Sequence, residues 1–89
     1  MLYIITREGC PYCAAAKENL EQLTAEDAGA YKLPMVYLNE NDSAAEQFDF
    51  YYAPAYFWDN EKLAEGEFTP GELREIIKRA HSLQNRGAE

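Results

Sequence analysis

The chain has 89 residues, with eight Lys and Arg against sixteen Asp and Glu, so its formal net charge is −8. This length suits one small domain, and 47% hydrophobic with 13% aromatic residues is too apolar for a disordered segment. The acidity argues against nucleic-acid binding, which needs clustered Lys and Arg. No apolar run approaches the roughly 20 residues that span a bilayer, and the start of the chain lacks the pattern of a secretory signal. We therefore expect a cytoplasmic monomer that binds neither nucleic acid nor membrane.

The first half of the chain predicts a strand, a helix and a second strand. Residues 2–6 are apolar and β-prone, which is typical of a buried strand. Pro11 suits the first position of a helix because it has no N–H to lose there, and an apolar stripe continues that helix to about Leu23. A break at residues 26–29 separates it from the second strand, predicted at 32–38.

A short helix and a β-hairpin are predicted next. Ser43, with Glu46 three residues later, has the capping-box pattern and predicts a helix over residues 44–50. Residues 55–58 and 62–65 flank a tight Asp-Asn turn and predict two antiparallel strands.

The last predicted element is an amphipathic helix that begins at Pro70, with Thr69 as its N-cap. We expect the domain to span residues 1–83 and residues 84–89 to form a frayed polar tail. The resulting order, β-α-β-α-β-β-α, predicts an α/β fold in which three helices flank a four-stranded mixed sheet on both faces.

The chemistry of this sequence is concentrated in Cys10 and Cys13, its only cysteines. Two cysteines are too few for a secreted disulfide framework, and together with His81 they still lack a fourth zinc ligand, so no metal site is expected. A Cys-x-x-Cys pair beside a strand–helix junction predicts a redox pair instead. Cys10 precedes the helix, where free N–H groups and Arg7 favour a thiolate. Cys13 shares a helix face with it and is placed to resolve a mixed disulfide.

The Cys-Pro-Tyr-Cys sequence at 10–13, after an N-terminal strand and between Arg7 and Lys17, resembles that of the glutaredoxins. The resemblance extends over nearly the whole chain. It implies a thioredoxin-like fold and a thiol–disulfide oxidoreductase that reduces protein or glutathione mixed disulfides. Glutathione is then the co-substrate and no cofactor is tightly bound. In this arrangement Pro11 and Tyr12 line the substrate groove.

The resemblance also implies substrate contacts around Pro54, whose peptide bond is cis in that family. The backbone of Ala53 would pair with the substrate like an added strand, with Tyr52 beside it and Thr69 at the next helix cap. Glutaredoxins have Thr-Val before this proline. After the fourth strand they have a Gly-Gly pair, followed by an acidic residue at the N-cap of the next helix. This chain has Tyr52-Ala53, the single Gly66 and the uncharged Thr69, so a redoxin reduced by thioredoxin reductase is an open alternative.

Two other classes of function stay open. Two chains could each supply Cys10, together with glutathione thiols, to hold an iron–sulfur cluster, although Pro11 stiffens the loop. A non-enzymatic interaction domain would use the aromatic segment 48–58. We favour core packing for that segment, with Tyr51 and Tyr52 as the candidates for substrate contact.

Two charged or titratable side chains are interpreted as structural. We favour a surface ion pair between Lys17 and Glu21, four residues apart on the helix, over a role for Lys17 at Cys13. His81 lies near the end of the last helix, where a cation suits the helix dipole, and we do not expect it to act as a general base.

Overall fold

The computed structural model describes residues 1–26, 33–66 and 68–87. Its elements follow in the order β1 (Leu2–Thr6), α1 (Pro11–Glu26), β2 (Met35–Asn39), a short 3-10 helix (Ser43–Gln47), β3 (Ala55–Trp58), β4 (Glu61–Glu65) and α2 (Pro70–Gly87). The chain is therefore α/β, as predicted. Most of the expected break after α1, the expected first residue of β2 (Lys32) and the end of the tail lie outside the described residues.

The four strands form one mixed sheet in the order β2-β1-β3-β4. Strands β1 and β2 are parallel, with Leu2 opposite Met35, and α1 connects them. Strands β1 and β3 are antiparallel, as are β3 and β4, whose register shifts between Tyr56 and Phe57. The predicted four-stranded mixed sheet and its terminal hairpin are confirmed.

Each face of the sheet buries its own hydrophobic cluster. Helices α1 and α2 cover one face, where Leu20 and Ile77 pack with Tyr56 of β3. The short helix and the chain after it cover the other face, where Phe57 packs against Phe48 with ring centroids 4.7 Å apart. Successive β3 side chains point to opposite faces, so core packing explains most of the aromatic segment.

The predicted second helix is wrong in type and extent. It is a 3-10 helix of five residues rather than an α-helix over residues 44–50, so the described part of the chain contains two α-helices and not three. Its N-cap is Asp42, and no side chain caps it. The Asp42 carboxylate instead accepts the Asn39 N–H at 2.9 Å. The helix ends because Phe48 is extended and buried against the sheet.

Helix α2 starts as predicted and ends later. Thr69 Oγ1 accepts the Glu72 N–H at 3.2 Å, which is the predicted N-cap bond. The helix continues to Gly87, so residues 84–87 are helical where a frayed tail was expected. Gln84 is half-buried and Asn85 is exposed. Similarly, α1 continues to Glu26, one turn beyond its predicted end.

Candidate functional site

The two cysteines lie where β1 turns into α1. Gly9 makes this turn with φ of 74°, in the left-handed region that glycine adopts without strain. Cys10 is the residue before the helix, and its carbonyl accepts the Ala14 N–H at 3.3 Å. Both cysteines are free thiols. The helix start therefore presents Cys10 where backbone N–H groups have no partner within the helix.

The Cys10 sulfur is half-buried and touches two backbone groups. The Cys13 N–H donates to Cys10 Sγ at 3.2 Å. Cys10 Sγ also lies 3.9 Å from the Ala53 carbonyl oxygen. An N–H directed at the sulfur stabilises negative charge there. The sulfur thus contacts both the first turn of α1 and the segment before Pro54.

The Cys13 sulfur occupies a different environment. The Cys13 residue is only 5% exposed, and its Sγ accepts the Arg7 N–H at 3.4 Å. Burial raises the pKa of Cys13 to about 11, and its hydrogen bond to Cys10 adds to that effect. Cys13 is therefore a protonated thiol at neutral pH, behind the more accessible Cys10.

A groove of about 670 Å³ opens beside the cysteines. It is lined by β1, α1, β2 and their connecting turn, through Thr6, Arg7, Gly9, Cys10, Pro11, Cys13, Ala14, Lys17 and Tyr37. Of the predicted substrate contacts, Arg7 and Pro11 line this groove. Tyr12, Tyr52, Ala53, Pro54 and Thr69 do not.

Lys17 contacts an aromatic ring instead of its predicted partner. Its Nζ lies 5.5 Å from the centroid of the Tyr37 ring. The favoured Lys17–Glu21 ion pair is wrong, because it is not among the ion pairs that the described residues form. An exposed helix pair is worth only about 0.3–0.5 kcal/mol, so a ring on the neighbouring strand competes readily for the ammonium.

The Arg7 guanidinium is paired with an acid that sequence reasoning missed. Arg7 Nε lies 2.9 Å from Glu40 Oε2, and this contact raises the pKa of Arg7 above its ordinary value. The parallel register places Thr6 opposite Asn39, and the Glu40 N–H donates to the Thr6 carbonyl. Residues that directly follow these two strands therefore lie side by side. The strand pairing is the signal that would have identified Glu40.

The segment before β3 brings Ala53 to Cys10. The Ala53–Pro54 peptide bond is cis, as the resemblance implied. The Pro54 carbonyl accepts the Gly66 N–H at 2.9 Å, which ties this segment to the end of β4. The hydroxyl of Thr69, another predicted substrate contact, accepts the Glu72 N–H and caps α2.

Two exposed tyrosines lie in the same segment, and their backbone N–H groups bind the Glu65 carboxylate. Tyr51 and Tyr52 are 74% and 66% exposed. The Glu65 carboxylate accepts the N–H of Tyr51 at 2.7 Å and that of Tyr52 at 3.1 Å, and Lys62 Nζ lies 2.9 Å from it. These contacts lower the pKa of Glu65 to about 2. No local pattern indicated this role, because the partners are separated along the chain.

Two buried polar atoms find no hydrogen-bond partner within the described part of the chain: Tyr56 Oη and His81 Nε2. Burial raises the pKa of Tyr56 well above its ordinary value, and the nearby Cys13 adds to this. Neither Tyr56 nor His81 lines the groove.

No family model, curated protein or solved structure matches this chain. Within residues 1–26, 33–66 and 68–87, no three His, Cys, Asp or Glu side chains are arranged to hold a metal ion. None of the helices in those ranges is both long and apolar enough to cross a membrane.

Proposed function

We propose that this chain is a glutaredoxin-like thiol–disulfide oxidoreductase with a thioredoxin-like fold. The observation that carries the proposal is the asymmetry of its two sulfurs. Cys10 Sγ is half-buried and accepts a helix N–H at 3.2 Å, whereas Cys13 is buried directly behind it. An attacking thiol needs access and stabilised negative charge, and a resolving thiol needs proximity without exposure. The sheet order and the position of the pair at the start of α1 support the proposal.

The reaction proceeds in two exchanges. The Cys10 thiolate attacks one sulfur of a substrate disulfide, so the substrate S–S bond breaks and one substrate thiolate leaves. Cys13 then loses its proton and attacks Cys10 Sγ, which releases the second substrate thiolate. Two electrons have passed to the substrate, and the enzyme holds a Cys10–Cys13 disulfide. Two glutathione molecules restore the dithiol and become glutathione disulfide.

The proposed substrate approach is along the segment before β3. The Ala53 carbonyl lies 3.9 Å from Cys10 Sγ, so a substrate strand that pairs with Ala53 brings its cysteine to the attacking sulfur. Tyr52 and Tyr12 are exposed beside this approach, and we expect both to contact bound substrate. The proposed setting is the cytoplasm, where thiol pools keep such a pair reduced.

The test is exchange with insulin and with a glutathionylated peptide. We expect the wild type to reduce both and Cys10→Ser to reduce neither, because only Cys10 is accessible for attack. Cys13→Ser should retain reduction of the glutathionylated peptide, since glutathione itself can resolve that intermediate, and should lose insulin reduction. Circular dichroism checks that each variant folds. A wild type no faster than Cys10→Ser would refute the proposal.

Thioredoxin reductase is the second candidate electron donor, favoured by the uncharged cap at Thr69, whose hydroxyl is engaged by the Glu72 N–H. The oxidised protein is supplied with NADPH and either glutathione plus glutathione reductase or thioredoxin reductase. Faster thiol recovery in one mixture identifies the donor.

A further inference from the structure

We infer that Glu40 and Lys17 determine the charge preference of the groove beside Cys10, so that an acidic group on the substrate is attracted mainly by Lys17. The inference rests on the proposed function and names the substrate feature that the groove distinguishes. That feature is a carboxylate near the disulfide.

Arg7 lines the groove, but its charge is largely compensated. Its Nε lies 2.9 Å from Glu40 Oε2, with the Arg7 side chain 47% exposed and that of Glu40 27% exposed. Glu40 occupies the Nε side of this guanidinium and offsets its charge, so a substrate carboxylate is attracted to Arg7 less strongly than to an unpaired cation. Because partly exposed pairs of this kind are weak, the difference is worth a few-fold in rate and not orders of magnitude.

Lys17 is the other cation in the groove wall, and it has no ion-pair partner among the described residues. Its ammonium lies 5.5 Å from the centroid of the Tyr37 ring. A cation over an aromatic face keeps its charge, and the ring leaves some of its three N–H donors for an anion. Lys17 follows Cys13 by one helical turn, so an anion at Lys17 lies beside the redox pair.

The net charge of −8 opposes the attraction of an anionic substrate to Arg7 and Lys17. At long range the whole chain repels anions whatever the groove contains. The contribution of Lys17 and Glu40 is therefore read from the ratio of rates for an anionic and a neutral disulfide, because the ratio separates the groove from general reactivity.

The test uses three small disulfides of similar size: dithiodipropionate, hydroxyethyl disulfide and cystamine, which are anionic, neutral and cationic. Reduced protein is mixed with each, and its remaining thiols are counted after acid quenching. We expect Lys17→Gln to lower the anionic-to-neutral ratio about three-fold, and Glu40→Gln to raise it about three-fold by freeing Arg7. The cystamine-to-neutral ratio should move in the opposite direction for each variant.

The matched controls are Lys78→Gln and Glu75→Gln. These residues form a surface ion pair on α2 outside the groove, and their substitution changes the net charge by the same amounts. Shifts no larger than those of the controls overturn the inference, because they show that net charge alone is responsible. In that outcome exchange with hydroxyethyl disulfide still supports the proposed function. A wild type that reacts with none of the three disulfides overturns both.

Discussion

Cys10 and Cys13 are three residues apart, yet their sulfurs differ in access and in hydrogen bonding. Cys10 Sγ accepts the Cys13 N–H and faces Ala53, whereas Cys13 Sγ accepts the Arg7 N–H from inside the fold. The i, i+3 spacing puts both on one side of the helix. Their different burial and hydrogen bonds therefore come from the surrounding fold and not from the spacing alone.

The thiol of Cys13 gives a prediction about alkylation at different pH values. With a pKa of about 11, only about one Cys13 thiol in a thousand is ionised at pH 8. We expect iodoacetamide to modify Cys10 first at that pH, and the Cys13 rate to rise with pH until about 11. Mass spectrometry of the reduced protein at successive times measures both rates, and urea-unfolded protein is the control. A Cys13 rate that stops rising near pH 9 would contradict the prediction.

At the scale of elements, the end of β4 determines the shape of the segment before β3. Glu65 is opposite Ala55 in the sheet, and its carboxylate accepts two consecutive backbone N–H groups, those of Tyr51 and Tyr52. The main chain is thereby held while both tyrosine side chains project outward. A rigid backbone with exposed rings is a suitable contact surface, because little conformational entropy is lost when a partner binds.

Glu65→Gln should loosen this segment. Loss of the charged acceptor is expected to lower the free energy of unfolding by about 1 kcal/mol at pH 7 and to speed amide exchange at Tyr51 and Tyr52. Because the folded-state pKa of Glu65 is lowered from 4.5 to about 2, its contribution is complete above pH 4.5 and is lost as the pH falls through 2. The difference between wild type and variant should therefore shrink over that range. Urea unfolding at several pH values measures it.

The control for this variant is Glu46→Gln, which removes an exposed acid of the short helix. It should leave amide exchange at Tyr51 and Tyr52 unchanged. Equal effects of the two substitutions would show that net charge, and not the Glu65 hydrogen bonds, holds the segment.

At the scale of the whole molecule, one sheet carries two cores, and the two cysteines lie at the start of α1, one of the helices that cover the first core. Helices α1 and α2 both pack on that face through residues such as Leu20, Leu73 and Ile77. The start of α1, and with it Cys10, is therefore positioned by a core that α2 completes.

Ile77→Ala tests this dependence. Ile77 is fully buried, and its truncation should cost about 3 kcal/mol, a large part of the 5–15 kcal/mol typical of small domains. Urea unfolding of the reduced protein is the measurement. Arg74→Ala, at an exposed position of the same helix, is the control and should change stability by less than about 0.5 kcal/mol. A loss for Ile77→Ala as small as that expected of the control would show that α2 contributes little to this core.

Much of this architecture is predictable from local patterns. Residues 55–58 were predicted as a strand and form β3, and Thr69 caps α2 as its sequence indicated. Apolar periodicity and capping residues act over a few positions, so they are visible without the fold. The short helix was mispredicted because packing of Phe48 against the sheet ends it.

The sequence by itself determined the order of the elements and the adjacency of Cys10 and Cys13, because both depend on residues close together in the chain. The tertiary structure decided which charges meet. Arg7 pairs with Glu40 across 33 positions, and Lys17 lies over Tyr37 across the groove. Such contacts depend on strand register and on how α1 lies over the sheet, and no local pattern encodes either.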